Sequence, residues 1–99
     1  MKLITAIART DSLDSIAKSL VDKGIRGMTI TEVKGIGEQM QLLNPYTIHS
    51  RVEIIIPEEK ANEVTNIILS HAHTGEAGDG LVAVSPVERL LKIRTREQV

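Results

Sequence analysis

The residues best suited to hold a ligand lie in a glycine-rich stretch at residues 74–80, which reads Thr-Gly-Glu-Ala-Gly-Asp-Gly. Glycine has no Cβ, so a backbone built from it approaches a bound group closely. Successive N–H groups in such a turn converge and bind one anion. Gly and Asp also dominate ordinary turns, so a plain helix-to-strand connection has the same composition. The stretch by itself leaves an anion site and a simple turn as alternatives.

Two further segments carry a regular pattern of polar and apolar residues. Residues 27–35 read Gly-Met-Thr-Ile-Thr-Glu-Val-Lys-Gly, which is typical of an amphipathic strand that ends in glycine. Residues 92–95 read Lys-Ile-Arg-Thr, so two cations alternate with one apolar residue. By default, this alternation indicates a solvated face of an extended segment.

The sequence shows no pattern that predicts catalysis or metal binding. The serines lack a recognisable nucleophile context, and no Ser/His/Asp pattern stands out. His71 and His73 are two residues apart, which on a helix separates them by about 200° and prevents them from sharing one ion. A frayed helix end is the preferred explanation for this pair, and an ordinary loop histidine is preferred for His49 over a pH sensor. We therefore predict no catalytic residue, no catalytic cofactor and no metal site.

Length and composition indicate one small domain with a thin core. The chain has 99 residues, a single aromatic residue, Tyr46, and no cysteine. A chain of this size buries only about 60–65% of the surface that its unfolded form exposes, so self-association would help to stabilise it. A net charge of −1 gives no reason to expect nucleic acid as a partner. The first residues are too few for a signal-peptide core, so a cytoplasmic domain is expected.

The first half of the chain predicts a strand, a helix and a second strand. Residues 2–8 suit a buried strand, Asp11 or Ser12 caps the following helix, and Gly24 ends it. In residues 26–36, apolar and polar side chains alternate as in a strand. The apolar positions of that alternation are Met28, Ile30 and Ile36. The buried helix face consists of Leu13, Ile16, Ala17, Leu20 and Val21.

The second half repeats this pattern. Residues 52–56 form an apolar strand, Pro57 opens a helix, Gly75 ends it, and residues 81–84 form a fourth strand. The buried face of this helix consists of Ala61, Val64, Ile68 and Ala72. Strand–helix–strand twice predicts the α+β, ferredoxin-like split βαβ fold (βαββαβ). Residues 37–50 form the irregular connection between the halves. Both sheet faces need cover, so we expect an oligomer.

Nearly the whole chain resembles the PII signal-transduction family, which consists of small regulatory proteins. Residues 27–35 match the family's second strand, and Gly37 and Gln39 continue it. Residues 52–57 resemble its third strand and the start of its second helix. Residues 74–81 resemble the phosphate-binding B-loop, and residues 86–99 resemble the C-terminal segment. The resemblance implies a single domain, 1–99, that assembles as a compact homotrimer with three nucleotide clefts between subunits.

The resemblance also implies which residues line each cleft. Adenine and ribose would be surrounded by Thr29, Gly35, Gly37, Glu53 and Ile55. Phosphate would be held by backbone N–H groups of Gly78, Asp79 and Gly80, and by Lys92 and Arg94 of the next chain. Cations at these positions make charge-assisted hydrogen bonds to phosphate.

Three departures from the family pattern bear on function. Leu81 stands where the family carries a lysine that grips phosphate, so ADP or AMP is favoured over ATP as the ligand. Lys92 replaces the first of two arginines. The family's long target-binding arm, the T-loop, is shortened to about residues 37–50; it lacks the family's modifiable tyrosine motif and retains Gln39 as an effector residue. Altered T-loops occur in relatives that serve other systems, including inorganic-carbon handling.

Three classes of function follow from this sequence. The leading hypothesis is a PII-like regulator that binds an adenine nucleotide and signals through the T-loop to a transporter or metabolic enzyme. It would act in nitrogen or inorganic-carbon metabolism, with a small carboxylate or bicarbonate as a further candidate effector. The alternative is a structural or interaction trimer that has lost nucleotide binding. The third and weakest class is an enzyme with its site between subunits.

Overall fold

The computed structural model describes residues 1–36 and 47–99, which form a single sheet with two α-helices. Each helix is preceded by a short 3-10 turn, at Thr10–Ser12 and at Glu58–Lys60. The strands are β1 (Lys2–Arg9), β2 (Thr29–Gly35), β3 (Thr47–Ile56) and β4 (Gly80–Pro86), and the helices are α1 (Leu13–Asp22) and α2 (Ala61–Ala72).

The sheet has the strand order β2-β3-β1-β4, and every neighbouring pair is antiparallel. The first strand therefore lies in the middle, next to the two strands that follow in the second half. With two strand–helix–strand units in this order, the α+β ferredoxin-like prediction is confirmed. The predicted trimer remains a prediction.

The core lies between the helices and one face of the sheet. Alternate residues of β1 and β3 point into it, because successive side chains of a strand lie on opposite faces. All four residues predicted for the buried face of α2 are buried, whereas on α1 only two of the five predicted residues are fully buried. The main core residues are Ile4, Ala6, Ile16, Leu20, Val52, Ile54, Val64 and Ile68.

Two local predictions were wrong. Helix α2 ends at Ala72, not at Gly75. Ser12 occupies the N-cap position of α1, but its side chain makes no capping hydrogen bond. The strand predicted within residues 26–36 is present as β2, in which Ile30 is 46% exposed; Ile36, also exposed, follows the strand. These two residues belong to or follow β2, which lies at the edge of the sheet, where fewer neighbours cover a side chain.

Residues 47–50, predicted as the end of the connecting loop, lie in β3. The rest of that loop, including Gly37 and Gln39, lies outside the described residues. In the described part of the chain, neither helix has the length and apolar character needed to cross a membrane.

Candidate functional site

The glycine-rich turn becomes a defined loop between α2 and β4, here called the glycine loop (residues 73–80). Three of its glycines have positive φ: Gly75 at 86°, Gly78 at 94° and Gly80 at 103°. Gly80 is also packed against β1, because a Cβ added there would lie 1.7 Å from the carbonyl oxygen of Ile7. Only glycine fits this position, since both its φ and its contact exclude a side chain.

The carboxylate of Asp79 closes the glycine loop from inside. Its Oδ2 accepts hydrogen bonds from the N–H groups of Thr74 (2.8 Å) and Gly75 (3.0 Å), and its Oδ1 accepts one from the Thr74 hydroxyl. Oδ1 also lies 3.3 Å from Nε of Arg9. The Thr74 hydroxyl and N–H, then the Gly75 N–H and Arg9, hold the pKa of the Asp79 carboxyl well below its usual range.

These contacts change what the loop offers an anion. The N–H groups of Thr74 and Gly75 are engaged by Asp79, and the N–H of Glu76 donates to the Thr74 hydroxyl at 3.2 Å. The first half of the loop therefore serves to shape it. The residues predicted to hold phosphate, Gly78 to Gly80, follow this closed turn and lead into β4.

Two side chains that sequence reasoning did not assign to the site hold the outer part of the loop. Nη2 of Arg9, the last residue of β1, donates to the carbonyl oxygen of Ala77 at 2.8 Å. Nε2 of His49 lies 2.8 Å from the carbonyl oxygen of Gly78, so this nitrogen carries the proton. Arg9 and His49 are direct partners in the β1–β3 pairing. His49 is thus a strand residue that contacts the loop, and its prediction as a loop residue was wrong.

The predicted adenine and ribose residues form a second group. Thr29 lies opposite Glu53 in the β2–β3 pairing. Glu53 Oε1 lies 3.3 Å from Nε of Arg51, an ion pair that lacks hydrogen-bond alignment. Three residues predicted to surround adenine and ribose, Thr29, Glu53 and Ile55, line a hollow of about 520 Å³. It is lined by Leu3, Gly27, Met28, Thr29, Glu53 and Ile55.

This hollow is separated from the glycine loop within one chain. Across the sheet, the paired residues that begin with Thr29 and Glu53 end on β4 at Ala83. The loop joins β4 at Gly80, three residues earlier. The two groups therefore differ by about 10 Å along the strands and are also two strands apart across the sheet. Gly35, at the far end of β2, pairs with Thr47 at the sheet end nearer the loop.

Lys92 and Arg94 lie in a small C-terminal hairpin (residues 87–99). Leu91 and Gln98 form its bridge, in which Lys92 N–H donates to the Glu97 carbonyl and Val99 N–H to the Leu90 carbonyl. The N–H of Arg96 donates to the carbonyl of Lys92. The hairpin begins where the N–H of Val87 donates to the carbonyl of Met1, one length of β4, about 20 Å, from Gly80. The predicted alternation of these residues on a strand is wrong, because residues 93–95 form a turn.

Leu81, at the position where the family carries a lysine, adds no charge to the loop. Leu81 lies opposite Ile7 on the sheet face that carries no helix, and 58% of it is exposed. A cavity of about 170 Å³ adjoins the loop, and its lining is mostly apolar. Among the described residues, the side chains that line this cavity are apolar except for those of His73 and Asp79.

The other histidines take structural positions. Nε2 of His71 lies 2.8 Å from the hydroxyl of Ser19 on α1, and Nδ1 of His73 lies 3.9 Å from Oδ2 of Asp79. His73 follows the last residue of α2 rather than extending the helix. Across residues 1–36 and 47–99, no three His, Asp or Glu side chains are grouped so that they could hold a metal ion.

Comparison with known proteins gives one consistent result. A profile of the family described as "Nitrogen regulatory protein P-II" matches residues 1–97. Proteins of that name from Nostoc punctiforme and Microchaete diplosiphon are each 38% identical over 99% of this chain and 96% of their own length. A protein of the same name from Pasteurella multocida is 36% identical over the same shares.

Proposed function

The chain belongs to the nitrogen regulatory protein P-II family, and from this premise we propose that it is a trimer that binds an adenine nucleotide between subunits. Membership confirms the resemblance inferred from the sequence, and it makes the chain a signalling regulator and not an enzyme. The P-II family binds adenine nucleotides as ligands. The site residues, the nucleotide preference and the target are the parts that we propose for this chain.

The observation that carries the proposal is the division of the predicted site within one chain. The glycine loop lies at one end of the sheet, and the hairpin that bears Lys92 and Arg94 leaves from the other end. The hollow with Thr29 and Glu53 lies on β2 and β3, toward the edge of the sheet opposite to β4, into which the loop leads. A ligand that needs all of these groups is therefore best served by two chains, each of which contributes a different part.

We assign the parts as follows. One subunit would provide backbone N–H groups of Gly78, Asp79 and Gly80 for phosphate, and Gly35 and Gly37 for adenine and ribose. Its neighbour provides Thr29, Glu53 and Ile55 for adenine and ribose, and Lys92 and Arg94 for phosphate. The glycine loop suits this role because it is already shaped by Asp79, so little ordering entropy is lost when an anion binds.

The nucleotide preference follows from Leu81. An exposed leucine supplies no charge where a cation would neutralise an additional phosphate. Each missing charge-assisted contact costs about 1.5–3 kcal/mol of binding free energy. We therefore propose ADP or AMP as favoured ligands, with ATP gaining little from its third phosphate.

Signalling would use the T-loop, the connection between β2 and β3. The proposed nucleotide site includes Gly35 and Gly37, and Gln39 is the proposed effector residue of the loop, so a bound nucleotide would favour one loop conformation over others. The readout would be contact with a transporter or metabolic enzyme in nitrogen or inorganic-carbon metabolism. A small carboxylate or bicarbonate is the proposed second effector.

Leu81 also supports an alternative. A trimer that no longer binds nucleotides would have no need for a cation at that position, and would serve as a structural or interaction module. Isothermal titration with ATP, ADP, AMP and cyclic AMP separates the two. Our proposal expects saturable binding of ADP and AMP with one site per subunit. Titrations that release no heat, together with equilibrium dialysis that detects no bound nucleotide, would favour the alternative.

A further inference from the structure

We infer that Arg9 is a positioning residue that holds the glycine loop in the shape required for anion binding. It would do so by linking the loop to β1 and by neutralising Asp79. This inference rests on the proposed nucleotide site, to which it adds a residue from outside the loop.

The first support is the pair of contacts that the guanidinium makes. Nε of Arg9 donates to Asp79 Oδ1 at 3.3 Å, and Nη2 donates to the Ala77 carbonyl at 2.8 Å. These contacts join residues 70 and 68 positions apart in the sequence. Because the guanidinium is planar and rigid, two contacts fix the orientation of the loop as well as its distance from the strand.

The second support is charge. Asp79 puts a carboxylate inside a loop that is proposed to bind a phosphate, and like charges repel. The Thr74 and Gly75 groups that bind this carboxylate are neutral donors. Within the described residues, its ion-pair partners are Arg9 and His73, and His73 is 3.9 Å away and charged only when protonated. Arg9 is thus the permanent counter-charge.

The third support is the composition of the neighbouring positions. Leu81 is apolar, so the start of β4 brings no cation to the loop. Lys92 and Arg94 lie in the hairpin at the other end of the sheet. Before a neighbouring chain contributes its hairpin, the electrostatic balance of the loop therefore depends on Arg9.

The loop-holding role is tested first without nucleotide. Arg9→Gln removes the charge and the fork, Arg9→Lys keeps the charge alone, and Lys18→Gln removes one exposed charge from α1 as a control. Amide hydrogen exchange of Thr74 and Gly75 is measured in each trimer. We expect roughly tenfold faster exchange in Arg9→Gln, an intermediate rate in Arg9→Lys and no change in the control. Unchanged exchange in Arg9→Gln would overturn the inference.

The link to anion binding is tested with adenosine, AMP and ADP. Arg9→Gln should leave adenosine affinity nearly unchanged and weaken AMP roughly tenfold, with a larger loss for ADP. A purely structural defect would weaken all three ligands alike, and that result would contradict the inference. If the parent protein bound none of the three, the proposed function would fail, while the exchange rates would still decide whether Arg9 holds the loop.

Discussion

The glycine loop and the C-terminal hairpin are the two parts of the proposed site that would bind phosphate, and they differ in how firmly each is attached to its own sheet. The loop is tied to its own sheet through Arg9 of β1 and His49 of β3. The hairpin is bonded to the sheet by Val87 N–H, which donates to the Met1 carbonyl. The other backbone hydrogen bonds found in the hairpin join two of its own residues. At its tip, Ile93 is 97% exposed.

This difference indicates which part is complete in a single chain. The loop has its shape before any ligand or neighbour arrives, because Asp79 already binds the N–H groups of Thr74 and Gly75. The hairpin instead presents an exposed isoleucine between two cations, and in the proposed trimer a neighbouring chain would cover this surface. Substitutions in the loop should therefore affect the folded chain itself, and substitutions in the hairpin should affect only what happens between chains.

The largest expected effect is that of Gly80→Ala on the loop side. A Cβ at this position clashes with the Ile7 carbonyl and also needs an unfavourable φ, so the free energy of unfolding should fall by about 3 kcal/mol or more. Urea unfolding measures this loss. Gly24→Ala has positive φ without the clash and should cost about 1–2 kcal/mol. Gly27→Ala has neither problem, so a loss beyond about 0.5 kcal/mol there would contradict the explanation.

A smaller effect on stability is expected for Asp79→Asn, and it should depend on pH. The folded pKa is depressed, so the contribution of the carboxylate is complete above the unfolded value of about 4 and is lost as pH falls toward the folded value. Urea midpoints of the parent and variant should differ by a constant amount from pH 5 to 8 and converge below about pH 4. Equal midpoints at pH 7 would show that the carboxylate does not hold the loop.

The spacing of apolar residues predicted well which helix residues pack against the sheet. Ile16, Leu20, Val64 and Ile68 were placed on buried helix faces because apolar residues recur at helical spacing, and a local pattern needs no tertiary information. Gly75 was misjudged as the end of α2 because glycine usually ends helices. The helix stops at Ala72, and the amides of Thr74 and Gly75 donate to Asp79 instead.

The contacts of the site could not be predicted in the same way. Arg9 meets Asp79 across 70 residues, and His49 meets Gly78 across 29. No local pattern encodes such a contact, which depends on the strand order β2-β3-β1-β4. The one available signal was that Arg9 ends an apolar strand, which places a charge at the rim of the sheet where loops gather.

Leu81→Lys should sharpen the comparison by changing affinity and not stability. The leucine is exposed, so its loss costs little, and the new ammonium should strengthen ATP binding about tenfold relative to AMP. Isothermal titration of both nucleotides gives the ratio. Val21→Lys adds the same charge at an exposed position of α1 and should not alter it. A parent protein that already prefers ATP strongly would contradict the role assigned to Leu81.

A small effect on stability is also expected for Arg94→Gln in the hairpin. The free energy of unfolding should change by less than about 0.5 kcal/mol, as for surface substitutions generally. Affinity for ADP should nevertheless fall by about threefold to tenfold through the lost phosphate contact. Arg89→Gln, an exposed residue before the hairpin turn, is the matched control. Equal ADP affinity in both variants would remove Arg94 from the site.

The central claim is that the glycine loop and the hairpin meet across subunits, and mixed trimers test it most directly. Leu81→Glu places a repelling charge beside the loop, and Lys92→Glu with Arg94→Glu does so in the hairpin, so each variant alone should bind ADP poorly. After subunit exchange, verified by native mass spectrometry, about one quarter of the interfaces should pair an unmodified loop with an unmodified hairpin and regain ADP binding. Mixed trimers that bind no more ADP than the separate variants would contradict the account.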